Sequence, residues 1–134
     1  MIRPETQFEY LNKVATHSPG TPFMVEQFGT FCGPCKMMMP HLAQLQKKYP
    51  KFFIASISGE SKEEVQQFIQ ENPACKSINV GLDSQQRAGR LMQANGVNGI
   101  PHAFIFDKTG KMTWHGHPSQ AEPEIKKVMT DFES

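Results

Sequence analysis

Two short apolar segments, separated by a cysteine motif and a helical segment, restrict the possible folds of this chain more than any other pattern. Phe23–Phe28 and Phe52–Ser58 are typical of buried strands. A helix is predicted to follow Cys32-Gly33-Pro34-Cys35 and to end near Tyr49. A strand, a crossover helix and a second strand make a βαβ unit, whose strands are parallel and whose crossover is right-handed. The sequence therefore predicts an α/β fold, with both cysteines where a strand gives way to a helix.

The rest of the chain predicts further helices and strands around this unit. Phe8, Leu11 and Val14 recur at helical spacing, and Ser61 with Glu64 forms the pattern of a capping box. The predicted elements are a first helix over about Glu5–Thr16, a helix from Ser61 to about Glu71, a short strand within Ser77–Leu82, a helix starting at Asp83 or Ser84 and ending near Ala94, a hairpin of His102–Phe106 with Lys111–His115, and a last helix over Glu122–Phe132.

Length and charge exclude several classes of function. The 134 residues suit a single domain over residues 1–134, and we expect a monomer. With 14 Lys and Arg against 13 Asp and Glu, the formal net charge is +1, so we expect no nucleic-acid partner. The chain has no apolar stretch approaching the roughly 18–20 residues that cross a bilayer, and no apolar signal region near its start. We therefore expect a cytoplasmic protein without a membrane partner.

The Cys-Gly-Pro-Cys motif is suited to thiol–disulfide exchange. A thiolate is the attacking species, and the unpaired amides at the start of a helix stabilise it. We therefore predict that Cys32 is an exposed nucleophile at the turn and that the more buried Cys35 resolves the mixed disulfide. Gly33 leaves room for a partner protein, and Pro34 suits the first helical turn.

A zinc or iron–sulfur site is the alternative use of such a motif. It needs two further ligands at suitable spacing, and the third cysteine, Cys75, stands alone. His115 and His117 are only two ligands, and we favour a solvated hairpin end for them. We therefore predict no metal and no bound cofactor, with a redox-active Cys32–Cys35 disulfide as the redox group.

Two motifs of the sequence resemble those of the thioredoxin-like family. Phe28–Lys36 looks like the active-site stretch of thioredoxins, and Gly99-Ile100-Pro101 looks like their cis-proline loop. Ser61–Leu82 and Gly99–Pro118 look more like the TlpA-type branch. The resemblance implies a thioredoxin fold: a three-layer α/β/α arrangement with a central mixed sheet, an N-terminal helix and an inserted helix–strand segment. It also implies a cis Ile100–Pro101 bond, with the backbone of Ile100 beside Cys32 to pair with an extended substrate.

Three residues depart from the family pattern or leave alternatives open. Phe31 replaces the usual Trp, which keeps an apolar lip beside Cys32 but loses the indole donor. Glu26 occupies the position of a buried acid that could take a proton from Cys35 through water, with a pKa raised by burial. It could equally be a carboxylate facing solvent. Ser56 falls near the place of the lysine that often accompanies this acid.

Two other residues carry weaker expectations. His102 follows the proline and could lower the thiolate pKa, although we favour a side chain that points away. Cys75 could be a regulatory thiol, and we favour a passive loop cysteine.

The function indicated by these features is reduction of protein disulfides. The resemblance implies an electron donor of the thioredoxin reductase type, which uses NADPH itself. A thiol peroxidase is an alternative, but Val25 and Gly29 stand where the Pro-x-x-x-Thr-x-x-Cys pattern needs Pro and Thr. A non-catalytic binding or adaptor module on the same fold is the other alternative.

Overall fold

Six strands and five α-helices are present in the computed structural model, which describes residues 1–134. The strands are β1 (Glu9–Asn12), β2 (Phe23–Gln27), β3 (Phe53–Ser58), β4 (Asn79–Leu82), β5 (His102–Phe106) and β6 (Met112–Gly116). The helices are α1 (Pro4–Gln7), α2 (Gly33–Lys48), α3 (Lys62–Glu71), α4 (Arg87–Ala94) and α5 (Glu122–Glu133), with 3₁₀ turns at Pro73–Ser77 and Pro118–Gln120. None of these helices has the length and apolar character needed to cross a membrane.

All six strands belong to one mixed sheet in the order β1-β4-β3-β2-β5-β6. β2, β3 and β4 run parallel, whereas β5 is antiparallel to β2, β6 to β5 and β1 to β4. The predicted βαβ unit of β2, α2 and β3 is therefore confirmed, as are the mixed sheet and the closing hairpin.

Helices cover both faces of the sheet. α2, α3 and α5 pack on the face that carries Met24 and Phe28, and α4 with the N-terminal segment packs on the face that carries Phe23 and Val25. This alternation along β2 is the pattern of a strand buried on both sides. The three-layer α/β/α arrangement is confirmed.

The N-terminal helix predicted over Glu5–Thr16 is wrong for most of its length. Only α1 is helical, and β1 then pairs with β4 at the edge of the sheet. The fully buried Asn79 accepts hydrogen bonds from the backbone amides of Val14 and Ala15, and Asn12 donates to two carbonyls before β4. These long-range bonds outweigh the local helical spacing, and Val14 is left 48% exposed.

The inserted segment contains α3, the first 3₁₀ turn and β4. The capping box of Ser61 and Glu64 is confirmed at the start of α3. The next helix starts later than predicted, at Arg87, because the Asp83 carboxylate accepts hydrogen bonds from the amides of Ala88 and Gly89 across an intervening turn.

Candidate active site

Cys32 and Cys35 form a disulfide at the start of α2. Cys32 is the N-cap residue, and its Sγ accepts a hydrogen bond of 3.2 Å from the backbone N–H of Cys35. Cys32 is 8% exposed and Cys35 is fully buried. The predicted order of exposure is therefore confirmed, but Cys32 is more enclosed than the exposed nucleophile we expected, because the loop before β5 packs over its sulfur.

This position favours the thiolate of Cys32 once the disulfide is reduced. The amide of Cys35 already points at the sulfur, and the free N–H groups of the first helical turn carry the positive end of the helix dipole. Gly33 and Pro34 form that first turn and are exposed, as expected for the side from which a partner approaches.

The loop before β5 brings the second half of the site to the cysteine pair. The Ile100–Pro101 bond is cis, and the Ile100 carbonyl oxygen lies 3.8 Å from Cys32 Sγ. Pro101 is buried, and the Ile100 side chain is half-buried. Residues separated by 68 positions in the chain therefore meet at one sulfur.

An apolar surface adjoins the cysteine pair. Phe31 is 79% exposed, and its ring lies over Gly29. A Cβ atom at Gly29 would stand 2.7 Å from Phe31 Cε1 and 3.0 Å from Ile100 Cδ1, so only glycine permits this approach. Met37, in the second turn of α2, is 77% exposed. Exposed large apolar side chains beside a reactive group indicate a surface for another molecule.

Glu26 is fully buried, which excludes the alternative of a carboxylate facing solvent. It lies on β2 between Met24 and Phe28, on the face covered by α2 and Cys35. Its Oε1 accepts a hydrogen bond from the Ser56 hydroxyl, and its Oε2 has no partner. Burial raises the pKa of Glu26 to about 7, and the hydrogen bond from Ser56 lowers it in part.

Glu60 is a site residue that sequence reasoning missed. It follows β3, and its carboxylate accepts hydrogen bonds from the backbone N–H of Thr30 at 2.7 Å and from the Thr30 hydroxyl at 2.6 Å. The Ser58 hydroxyl donates to the same group at 2.8 Å. Burial opposes ionisation, but these bonds outweigh it and lower the pKa of Glu60 below its usual value.

His102 lies on the opposite face of the sheet from the cysteines. Its ring packs against Phe104, and its Nε2 lies 2.9 Å from Nδ1 of His115. Burial lowers the pKa of His102, and His115 and His117 lower it further. The side chain thus points away, as favoured above. His117 hydrogen-bonds Ser119 instead of joining a ligand cluster, and no group of three or more potential ligand side chains comes together.

Cys75 lies within the 3₁₀ turn Pro73–Ser77 and is fully buried in the same core as Cys32 and Cys35. Burial raises its pKa to about 11, and the negative charge of Glu26 adds to this effect. The connection between α3 and β4 that holds Cys75 is thus a 3₁₀ turn rather than an irregular loop, and the inaccessible, protonated thiol favours the passive role over a regulatory one.

Together, these features define a thioredoxin fold with a redox-active cysteine pair opposite a cis-proline. The chain belongs to the thioredoxin-like family, which matches residues 20–112. The resemblance drawn from Phe28–Lys36 and Gly99-Ile100-Pro101 is confirmed.

Relatives of known sequence and structure agree with this family. The chain is 25% identical over 105 residues to thiol-disulfide oxidoreductase ResA of Bacillus thuringiensis, a match that covers 76% of this chain and 58% of ResA. It is 42% identical over 88 residues to thioredoxin C-3 of Corynebacterium nephridii, covering 66% of this chain and 43% of that protein. The matched part of the chain thus spans about half the length of these relatives.

A solved structure shows the same fold along nearly the whole chain. MTB dsbF, solved in mixed oxidized and reduced forms, superposes with a TM-score of 0.68 at 17% identity and covers 98% of this chain and 99% of its own. StoA from Bacillus subtilis gives a TM-score of 0.65 at 19% identity, covering 94% and 99%.

Proposed function

We propose that this chain is a thiol–disulfide oxidoreductase that reduces disulfides in other proteins. The observation that carries the proposal is the position of Cys32. Its sulfur caps α2, accepts the amide of Cys35 and lies next to the Ile100 carbonyl. The ResA and thioredoxin relatives support the same chemistry.

In the first step, the Cys32 thiolate attacks one sulfur of a substrate disulfide. A bond forms between Cys32 Sγ and that sulfur, and the other substrate sulfur leaves as a thiolate. The amides of the first turn of α2 stabilise the attacking anion.

In the second step, Cys35 releases the substrate. Its thiol loses a proton, its sulfur attacks Cys32 Sγ, and the second substrate sulfur leaves. Two electrons have then passed to the substrate, and Cys32 and Cys35 are joined again. Glu26 is the proposed proton acceptor, because it is buried on the same face as Cys35 and its raised pKa suits proton transfer near neutral pH.

The substrate is proposed to bind as an extended segment across the cysteine pair. The Ile100 backbone and Pro101 line one side, and Phe31 supplies an exposed apolar contact on the other. Gly33 and Pro34 present no long side chain between them. Main-chain pairing with a peptide would give affinity with little dependence on substrate sequence.

Turnover requires an external electron donor. We propose a thioredoxin reductase-type partner and a reducing, cytoplasmic compartment, with the protein acting as a monomer. Fractionation of the full-length protein in its host would test the compartment.

Insulin-disulfide reduction with dithiothreitol as donor tests the activity. We expect turnover by the wild type, none by Cys32→Ser, and a stable mixed disulfide on Cys32 in Cys35→Ser. Cys75→Ser is the matched control and should retain activity, because its thiol is buried in the 3₁₀ turn. Undiminished activity of Cys32→Ser would refute the assignment.

A redox titration against glutathione tests the direction. A reduction potential near about −270 mV, as in thioredoxin, would support a reductant, whereas one near about −120 mV, as in DsbA, would indicate an oxidant.

A further inference from the structure

We propose that Glu60 is a positioning residue that holds the turn Gly29–Cys32 in the conformation that receives a disulfide substrate. This inference rests on the proposed function, and it adds to the site a residue that follows β3 rather than β2. Glu60 does not touch the reacting sulfur; it acts through Thr30.

The carboxylate of Glu60 binds Thr30 twice. Oε1 accepts the backbone N–H at 2.7 Å, and Oε2 accepts the side-chain hydroxyl at 2.6 Å. Two bonds to one residue fix its orientation as well as its distance, and bonds to an ionised acceptor are stronger than neutral ones. Thr30 precedes Phe31 and Cys32 directly, so its orientation determines where both side chains point.

Glu60 is itself anchored to the centre of the sheet. The Ser58 hydroxyl donates to Oε1 at 2.8 Å and accepts from the Glu60 backbone N–H at 3.1 Å. Ser58 is the last residue of β3, which pairs with β2 along its length. The carboxylate therefore connects the carboxyl ends of two neighbouring parallel strands, beyond the point where their ladder stops.

Cys32, at the end of the turn, is held by the disulfide and by the start of α2, but the residues before it have few other bonds. One backbone bond closes the turn, from Cys32 N to the Gly29 carbonyl at 3.2 Å. Phe31 is mostly exposed, and its ring lies over Gly29, which has no side chain to pack against it. Without the carboxylate, Thr30 would lose two bonds and the turn would sample other conformations. Pre-organisation of a binding surface improves affinity by removing that entropy cost.

The first test measures the turn without any activity. In the oxidised protein, we expect Glu60→Ala to accelerate hydrogen exchange of the Thr30 amide at least about tenfold, as the loss of a charge-assisted bond implies. Glu64→Ala is the matched control: it removes a carboxylate four positions away that bonds only Ser61. An unchanged Thr30 exchange rate in Glu60→Ala would overturn the inference.

The second test measures the consequence in insulin reduction. Glu60→Ala should raise KM about fivefold to tenfold with kcat within about twofold, because binding rather than chemistry is impaired. Glu60→Gln should restore most of the wild-type KM: its oxygen accepts the Thr30 amide, and the Thr30 hydroxyl rotates to accept from its NH₂ group. Thermal unfolding of each variant shows whether it is folded.

The outcomes separate the two proposals. If the wild type does not reduce insulin, the proposed function is refuted, but the hydrogen-exchange result still tests the role of Glu60. An active wild type with an unchanged KM in Glu60→Ala overturns the inference alone. A Glu60→Gln protein as impaired as Glu60→Ala would also overturn it, because the two bonds to Thr30 that Gln can still form would then not be what holds the turn.

Discussion

Replacement of Glu26 by Gln should change how stability depends on pH. The wild-type carboxyl is fully buried, with one oxygen bonded to Ser56 and the other unpartnered. Gln has the same shape and can accept the same bond from Ser56, but it cannot ionise. Any cost of the substitution that does not depend on pH is the same throughout the titration. The pH-dependent part of the difference in unfolding free energy therefore reports the ionisation of Glu26 alone.

The magnitude follows from the pKa of Glu26, which burial raises from its usual 4.5 to about 7. Below pH 4.5 the group is protonated in both the folded and the unfolded chain, and it carries no penalty. Between these two pKa values the carboxyl is ionised in the unfolded chain but still protonated in the folded one, so the folded state loses stability as pH rises. Above pH 7 the loss is complete, at roughly 3 kcal/mol, since one pH unit corresponds to about 1.4 kcal/mol.

Urea unfolding of the oxidised proteins at several pH values between 4 and 8 measures this difference. The free energy of unfolding of Glu26→Gln, relative to wild type, should increase by roughly 3 kcal/mol over that range. Glu63→Gln is the matched control, because Glu63 is exposed on α3. Parallel pH profiles for wild type and Glu26→Gln would refute the reasoning, since they would mean that the buried carboxyl titrates normally.

Three further substitutions or reactions test other parts of the structure. Gly29→Ala should lower the free energy of unfolding, measured with urea, by no more than about 1 kcal/mol and raise KM, because its Cβ would displace the ends of the Phe31 and Ile100 side chains; a wild-type KM would contradict the close approach. Asn79→Ala should cost roughly 2–3 kcal/mol, since the backbone amides of Val14 and Ala15 lose their acceptor and the carbonyl of the buried Ile54 loses its donor; equal stability would show that these bonds are replaceable. In a variant without the catalytic pair, Cys75 should react with a thiol reagent only at the rate of unfolding, and rapid labelling of folded protein would show that it is accessible.

Local patterns predicted the centre of the fold correctly. The strands on either side of α2 are mostly apolar, and α2 begins at a proline-containing turn. These signals are short in range, so they need no knowledge of partners. The cysteine pair at their junction and the loop at Ile100–Pro101 could therefore be assigned from the amino-acid sequence alone.

The parts that were missed depend on contacts between distant residues. The segment after α1 has helical spacing, yet Asn79 and the edge of β4 draw it into a strand. Burial of Glu26 could not be decided from the sequence, because it depends on whether helices cover both faces of β2, and only the tertiary structure shows that they do. One signal in the sequence could have found Glu60. It comes just after a strand that is parallel to β2, so it lies at the same edge of the sheet as the cysteine motif.

The location of β2 and β3 in the middle of the sheet determines which parts of the molecule can open separately. β1 and β6 each have a single neighbouring strand, so brief local unfolding breaks fewer bonds there. The two central strands lead directly into the redox site instead: β2 is followed by both cysteines and the start of α2, and β3 is followed by Glu60. Fraying of either edge strand therefore leaves the spacing of the redox groups intact, and amide exchange should be fastest in β1 and β6 and slowest in β2 and β3.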